Sequence, residues 1–256
     1  MIRKSDFMQK VFLVSSLDCN YKIDGVRYPK KINNINGIVE QIQSNLSGNH
    51  KIVFFASAPE CYDLTDNYSN IIFQGFQKSG IHFENVVIID ERFQGDLESE
   101  VKSADLIFLL GGDPDIQIEY FKRFGLKELL NNYSGVIVGQ SAGAMNLAEI
   151  VLCSPEYEEQ IGQNYKWEGL GKTKINIEPH FILNVTEELD TKLRTELLRI
   201  SNEGSLYAIP DGSHIFDNGE TIVIFGEAYL IENGNVVKIN DNHQQLDITK
   251  KTSKKL

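Results

Sequence analysis

The pentapeptide Gly139-Gln140-Ser141-Ala142-Gly143 constrains this chain more than any other stretch. The apolar run Gly135-Val136-Ile137-Val138 leads into it, and the helix formers Ala144-Met145-Asn146-Leu147-Ala148-Glu149 lead out. A strand enters and a helix leaves. Glycines on either side of Ser141 permit a sharp turn that lifts the hydroxyl clear of the backbone. The serine then sits at a helix N-terminus, where unpaired N–H groups can hold a developing oxyanion. The same pattern also suits an ordinary glycine-rich turn with Ser141 as a helix N-cap, so the rest of the chain has to decide.

Short apolar strands recur at Val11–Val14, Lys51–Ser57, Val86–Asp90, Leu106–Leu110 and Val136–Val138. Between them, Ile38, Ile42 and Leu46, then the run 67–79, then Ile116 to Leu130 carry helical spacing. That alternation predicts an α/β fold, a mostly parallel sheet with helices on both faces. The segments 206–209, 221–225, 228–231 and 236–239, separated by Gly and Asn turns, predict C-terminal antiparallel strands. The stretch Asp18 to Asn36 reads as loop, as does Ser154 to Lys174 with its four glutamates and Trp167. Glu187 to Asn202 reads as a helix. At 256 residues the expectation is one domain, 1–256.

Hydrophobic residues at 41% and charged residues at 24% exclude general disorder. A net charge of −11, from 36 acidic against 25 basic side chains, repels nucleic-acid backbones and anionic membranes, so neither is an expected partner. The lysines at 250, 251, 254 and 255 fit a solvated chain end. Cys19, Cys61 and Cys153 are scattered and odd in number, which suits a reducing compartment. With no apolar run near the roughly 20 residues of a membrane span and no signal-type N-terminus, the expected location is cytoplasmic.

A serine nucleophile needs a base, and the base needs an orienting group. Of the five histidines, His50, His82 and His243 lie in turn-like or polar stretches. His180 instead ends the short strand 175–177 and its Glu178-Pro179 extension, with the apolar Phe181 behind it. For the acid the sequence leaves two regions open: Asp211 in Ile209-Pro210-Asp211-Gly212-Ser213, and Glu156 or Glu158 after the elbow helix. His214, next to Asp211, is placed where it can line a pocket. The oxyanion donors expected are the backbone N–H groups of Gly112, in Gly111-Gly112-Asp113-Pro114, and of Ala142. There is no nucleotide-binding glycine pattern and no metal-ligand spacing, so no cofactor and no metal are expected.

These residues, taken in order, resemble peptidase family S51, which contains dipeptidase E (alpha-aspartyl dipeptidase) and cyanophycinase. The resemblance rests on Gly-Gly-Asp at 111–113, Gly-Gln-Ser-Ala-Gly-Ala at 139–144, Pro-His-Phe at 179–181 and Pro-Asp-Gly-Ser at 210–213. It implies a serine peptidase with a fold similar to class I glutamine amidotransferases, Ser141 as nucleophile and His180 as base. The acid would fall near Glu156 to Glu158 by similarity to dipeptidase E, or near Asp211 by similarity to cyanophycinase. The substrate implied is a small peptide, a dipeptide with N-terminal aspartate. A homodimer is compatible with the sequence but not required by it. Asp113-Pro114 stands where relatives commonly have Asn followed by Thr or Gln, which puts a carboxylate beside the site. An esterase or amidase on non-peptide substrates, and a silent binding protein of the same fold, are the alternatives.

Overall fold

The computed structural model describes residues 10–48, 50–182 and 191–252. In chain order, β1 (Lys10–Val14) is followed by a hairpin of β2 (Asn20–Ile23) and β3 (Val26–Pro29) and by α1 (Ile38–Asn45). Then come β4 (Lys51–Phe55), α2 (Tyr62–Lys78), β5 (Asn85–Ile89), α3 (Leu97–Ser103), β6 (Leu106–Leu109), α4 (Pro114–Arg123) and α5 (Leu126–Asn131). The elbow region is β7 (Val136–Gln140), α6 (Ala142–Met145), β8 (Ile150–Leu152) and β9 (Lys166–Glu168). The remainder is β10 (Asn176–Pro179), α7 (Thr191–Ile200), β11 (Leu206–Ile209), β12 (His214–Asp217), β13 (Ile222–Phe225), β14 (Ala228–Glu232), β15 (Asn235–Asn240), β16 (Gln245–Asp247) and α8 (Thr249–Thr252).

The large sheet has the order β16-β13-β12-β1-β7-β6-β4-β5. β1, β7, β6, β4 and β5 are parallel, and β12, β13 and β16 extend the sheet antiparallel from β1. Its strands are apolar on both faces because both faces are covered. Phe12, Val14, Ile52, Phe54, Phe108 and Val138 pack under α1 and α2. Their alternates Val11, Leu13, Val53, Phe55, Leu109 and Ile137 pack under α3 to α6. The fold is therefore α/β with helices on both faces, as the alternation predicts.

A second sheet, β10-β11-β14-β15, lies on the α3–α6 side, and its Ile177, Tyr207, Ile209 and Ala228 enter the same core. Within it β10 and β11 are parallel, in the register Pro179↔Ile209. Two chain segments 30 residues apart therefore leave this sheet side by side.

Some elements depart from the sequence reading. The stretch 18–36 contains the β2–β3 hairpin, turned at Asp24-Gly25 with both residues at positive φ. One predicted helix between 116 and 130 is two, broken at Gly125 with φ 60°. The helix after the elbow is a single turn, because Asn146 is drawn into side-chain bonds and the chain continues as β8, which pairs with β9 from the supposed loop. The segment 206–209 is paired in parallel on one side and antiparallel on the other, not in a simple hairpin. The N-terminal part of the predicted helix 187–202 and the last lysines, 254 and 255, lie outside the described residues. Among the described residues no helix is long and apolar enough to cross a membrane.

Phe108 is fully buried between Phe54 and Phe76, with ring centroids 5.5 and 6.2 Å away. Phe108→Ala is expected to cost about 3–5 kcal/mol, read as a lower urea midpoint at unchanged slope.

Candidate active site

Ser141 sits between β7 and α6 with φ 52° and ψ −118°, a conformation that L residues rarely adopt. The turn is held from both sides. Its N–H donates to the Val14 carbonyl on β1 (2.9 Å), and its own carbonyl accepts from the N–H groups of Ala144 (2.9 Å) and Met145 (3.0 Å). The flanking glycines are needed for close packing, not for an unusual φ. A Cβ on Gly139 would lie 2.6 Å from the Gly143 carbonyl oxygen, and one on Gly143 would lie 2.3 Å from that of Leu109. The strained residue is the serine itself.

His180 Nε2 is 3.0 Å from Ser141 Oγ, and its Nδ1 is 2.7 Å from Asp211 Oδ1. The parallel pairing of β10 with β11 explains the second contact, since both residues follow the Pro179↔Ile209 pair at one edge of the small sheet. A carboxylate can only accept, so Nδ1 carries the proton and Nε2 is left to accept from the serine hydroxyl. The hydrogen bond to Asp211 holds the imidazole above its ordinary value of 6.5, and the charges of Asp211, Glu156 and Glu178 add to the effect against the opposing cost of burial. Asp211 is lowered because the bonds from His180 and Ser15, with the charge of His180, outweigh its desolvation.

Ser15, one residue past β1 and fully buried, ties these parts together. Its hydroxyl accepts the His180 backbone N–H (2.7 Å) and donates to Asp211 Oδ1 (2.8 Å). His180 has φ 57°, so the Ser15 contact fixes a backbone that is itself strained. The sequence reading missed Ser15. The only signal for it was its position at the end of an apolar strand, which a parallel sheet brings to the same edge as the elbow.

Gly112 and Ala142, whose backbone N–H groups are the expected oxyanion donors, line a pocket of about 520 Å³ together with Ser141 and His180. Among the described residues neither N–H is paired with a protein acceptor. The Gly111-Gly112 segment is held by Ser57 Oγ, which donates to the Gly111 carbonyl (2.7 Å). A Cβ on Gly112 would lie 2.4 Å from that hydroxyl oxygen. Below it runs a buried polar network: Gln117 Nε2 donates to the Leu110 carbonyl (2.6 Å), and Asn146 Nδ2 donates to the Pro114 carbonyl (2.8 Å) and to Gln117 Oε1 (3.1 Å). Trp167 Nε1 donates to Asn146 Oδ1 (3.0 Å), so the wall of the pocket is fastened to the elbow.

Glu156 lines the same pocket but makes no hydrogen bond to the imidazole; its backbone N–H donates to Gln160 Oε1 (2.7 Å). Glu158 is paired with Lys192 at 2.5 Å. His214 does not line the pocket. It is buried in the core, stacked on Phe225 with ring centroids 5.0 Å apart, and burial pushes it down to about 3. Two pocket acids titrate high: burial and the Asp115 carboxyl push Asp113 up to about 6, and burial pushes Glu178 up to about 7. Among the described residues no cluster of His, Cys, Asp and Glu is arranged to hold a metal.

The model of peptidase family S51 matches residues 29–225. The chain belongs to this family. A peptidase from an acI-B1 Actinobacterium is similar in fold, with a TM-score of 0.63 at 18% identity over 94% of this chain and 98% of that one. A protein described as peptidase E, from Listeria monocytogenes EGD-e, is similar with a TM-score of 0.58 at 17% identity over 91% of this chain and 100% of that one. No curated protein matches.

Ser15→Ala removes the acceptor of the His180 N–H and one donor to Asp211. It is expected to lower stability by about 1–3 kcal/mol, measured by urea unfolding at neutral pH. An unchanged midpoint would show that the hydroxyl bears no part of the His180–Asp211 arrangement.

Proposed function

We propose that this member of peptidase family S51 is a serine peptidase of short peptides, acting through Ser141, His180 and Asp211. The observation that carries the reading is the chain of contacts from Ser141 Oγ through the imidazole to Asp211 Oδ1, at 3.0 and 2.7 Å. In this reading His180 Nε2 takes the proton of Ser141 as Oγ attacks the peptide carbonyl carbon. Asp211 keeps the imidazole in the required tautomer and stabilises the imidazolium. The oxyanion is received by the N–H groups of Gly112 and Ala142, whose freedom from protein acceptors leaves them available. His180 then returns the proton to the leaving amine, and water, activated by the same nitrogen, releases the acyl group.

Short substrates are favoured by the size of the pocket, which is closed on one side by the segment from Cys153 to Trp167. Asp211 is preferred to Glu156 as the third member, because Glu156 has no contact with Nδ1. Glu156 acts on the base only through its charge. An aspartyl acyl group, the one the resemblance implies, would add a further carboxylate to a wall that already holds Asp113, Asp115, Glu156 and Glu178. The proposal therefore keeps the peptide and leaves its first residue to the pocket.

Two outcomes test it. On a panel of dipeptides and tripeptides, Ser141→Ala should lower kcat by a factor on the order of 10⁴ or more with the fold retained, and comparable turnover by this variant would refute the mechanism. Attack requires neutral His180, so kcat/KM should rise with pH through a midpoint above 6.5. Asp211→Asn, which removes the largest cause of that raised value, should move the midpoint down and lower the plateau. A midpoint unmoved by Asp211→Asn would remove Asp211 from the role.

A further inference from the structure

We propose that Ser57 is a positioning residue for the oxyanion site, its hydroxyl setting the direction in which the Gly112 N–H points. The inference rests on the peptidase reading of the same site and names what holds one of its two donors. The carbonyl of Gly111 and the N–H of Gly112 belong to one peptide unit. Such a unit is planar and trans, so the two bonds point in opposite directions. Ser57 Oγ donates to the Gly111 carbonyl at 2.7 Å. Fixing that oxygen fixes the N–H on the other side of the unit.

The need for this hold lies in the sequence. Two successive glycines have no Cβ to restrict their torsions, and a flip of the peptide between them exchanges the two directions. The carbonyl dipole would then stand where developing negative charge requires a donor. Ser57 lies two residues past β4, which pairs in parallel with β6, the strand that leads into Gly111-Gly112. It is buried, and it packs so closely that a Cβ on Gly112 would lie 2.4 Å from its Oγ and 2.7 Å from its Cβ. Gly111 stands against the elbow, since a Cβ there would lie 3.2 Å from the Cβ of Ser141. The neighbouring carbonyls of Leu110, Asp113 and Pro114 accept from Gln117 Nε2 (2.6 Å), the Gln117 N–H (3.1 Å) and Asn146 Nδ2 (2.8 Å). The Asn146 N–H in turn donates to the carbonyl of Ala142 (2.9 Å), the residue with the second donor. These bonds hold the ends of the loop, and Ser57 holds the peptide between them.

The test compares wild type with Ser57→Ala and with Ser69→Ala, which removes another buried hydroxyl that donates to a backbone carbonyl at 2.7 Å, within α2. Two rates are measured on folded protein: hydrolysis of the peptide panel, and labelling of Ser141 by a fluorophosphonate, whose phosphoryl oxygen calls on the same N–H groups. Ser57→Ala should lower kcat about 10- to 100-fold with KM within about 3-fold, and slow labelling at least about 10-fold. The pH midpoint of either rate should stay at the wild-type value, because His180 and Asp211 are untouched. Ser69→Ala should leave both rates within about 2-fold, whatever stability it loses. Rates of Ser57→Ala within about 2-fold of wild type, a loss carried by KM alone, a shifted midpoint, or equal slowing by Ser69→Ala would overturn the inference. Wild type that is labelled at Ser141 but hydrolyses no peptide overturns the peptidase reading alone; slower labelling of Ser57→Ala then still supports the inference, and equal labelling overturns it. Neither hydrolysis nor labelling in folded wild type overturns both.

Discussion

The arrangement depends on one strained residue. Ser141 occupies a backbone conformation that typically costs about 1–3 kcal/mol, and it persists only because its surroundings leave no alternative. Its N–H is bonded to β1, its carbonyl caps the first turn of α6, and Gly143 lies against the Leu109 carbonyl of β6 where no side chain fits. Relaxing the serine would break contacts with the two strands that flank β7. The strain therefore holds the hydroxyl at the C-terminal edge of the sheet.

The rest of the site comes from a different sheet. β10 and β11 run parallel, so His180 and Asp211 emerge together, and the small sheet shares a core with the large one through Ile177, Tyr207 and Ile209. Apolar packing sets the two sheets against each other, but it is non-directional and cannot fix an imidazole to a fraction of an ångström. Ser15 adds the directional part, with one hydroxyl contacting the His180 backbone and the Asp211 carboxylate while standing on β1, the strand that also receives the Ser141 N–H. β1 is thus the common reference for Ser141, His180 and Asp211.

Much of this was legible in the sequence because it is carried by local pattern. The apolar strands, the helical spacing of Ile38 and Ile42, and the glycines around Ser141 each reflect short-range sterics or periodicity. What was not legible depends on pairing between distant segments. Asp211 competed with Glu156 and Glu158, and the parallel register of β10 and β11 is what brings Asp211 to Nδ1. Ser15 looked like any serine after a strand. Asn146 looked like a helix residue, yet its bonds to Pro114, Gln117 and Trp167 end the helix after a single turn. The acidity of the pocket was scattered along the chain as Asp113, Asp115, Glu156 and Glu178, and only folding assembles it.

The measurement that bears most directly on the account is covalent labelling by a fluorophosphonate, read by peptide mapping and mass spectrometry. The account predicts one adduct, on Ser141, formed rapidly in the wild-type protein and slowed by orders of magnitude in folded His180→Ala. Absence of the adduct in folded wild type, labelling of a different serine, or a rate unaffected by loss of His180 would contradict it.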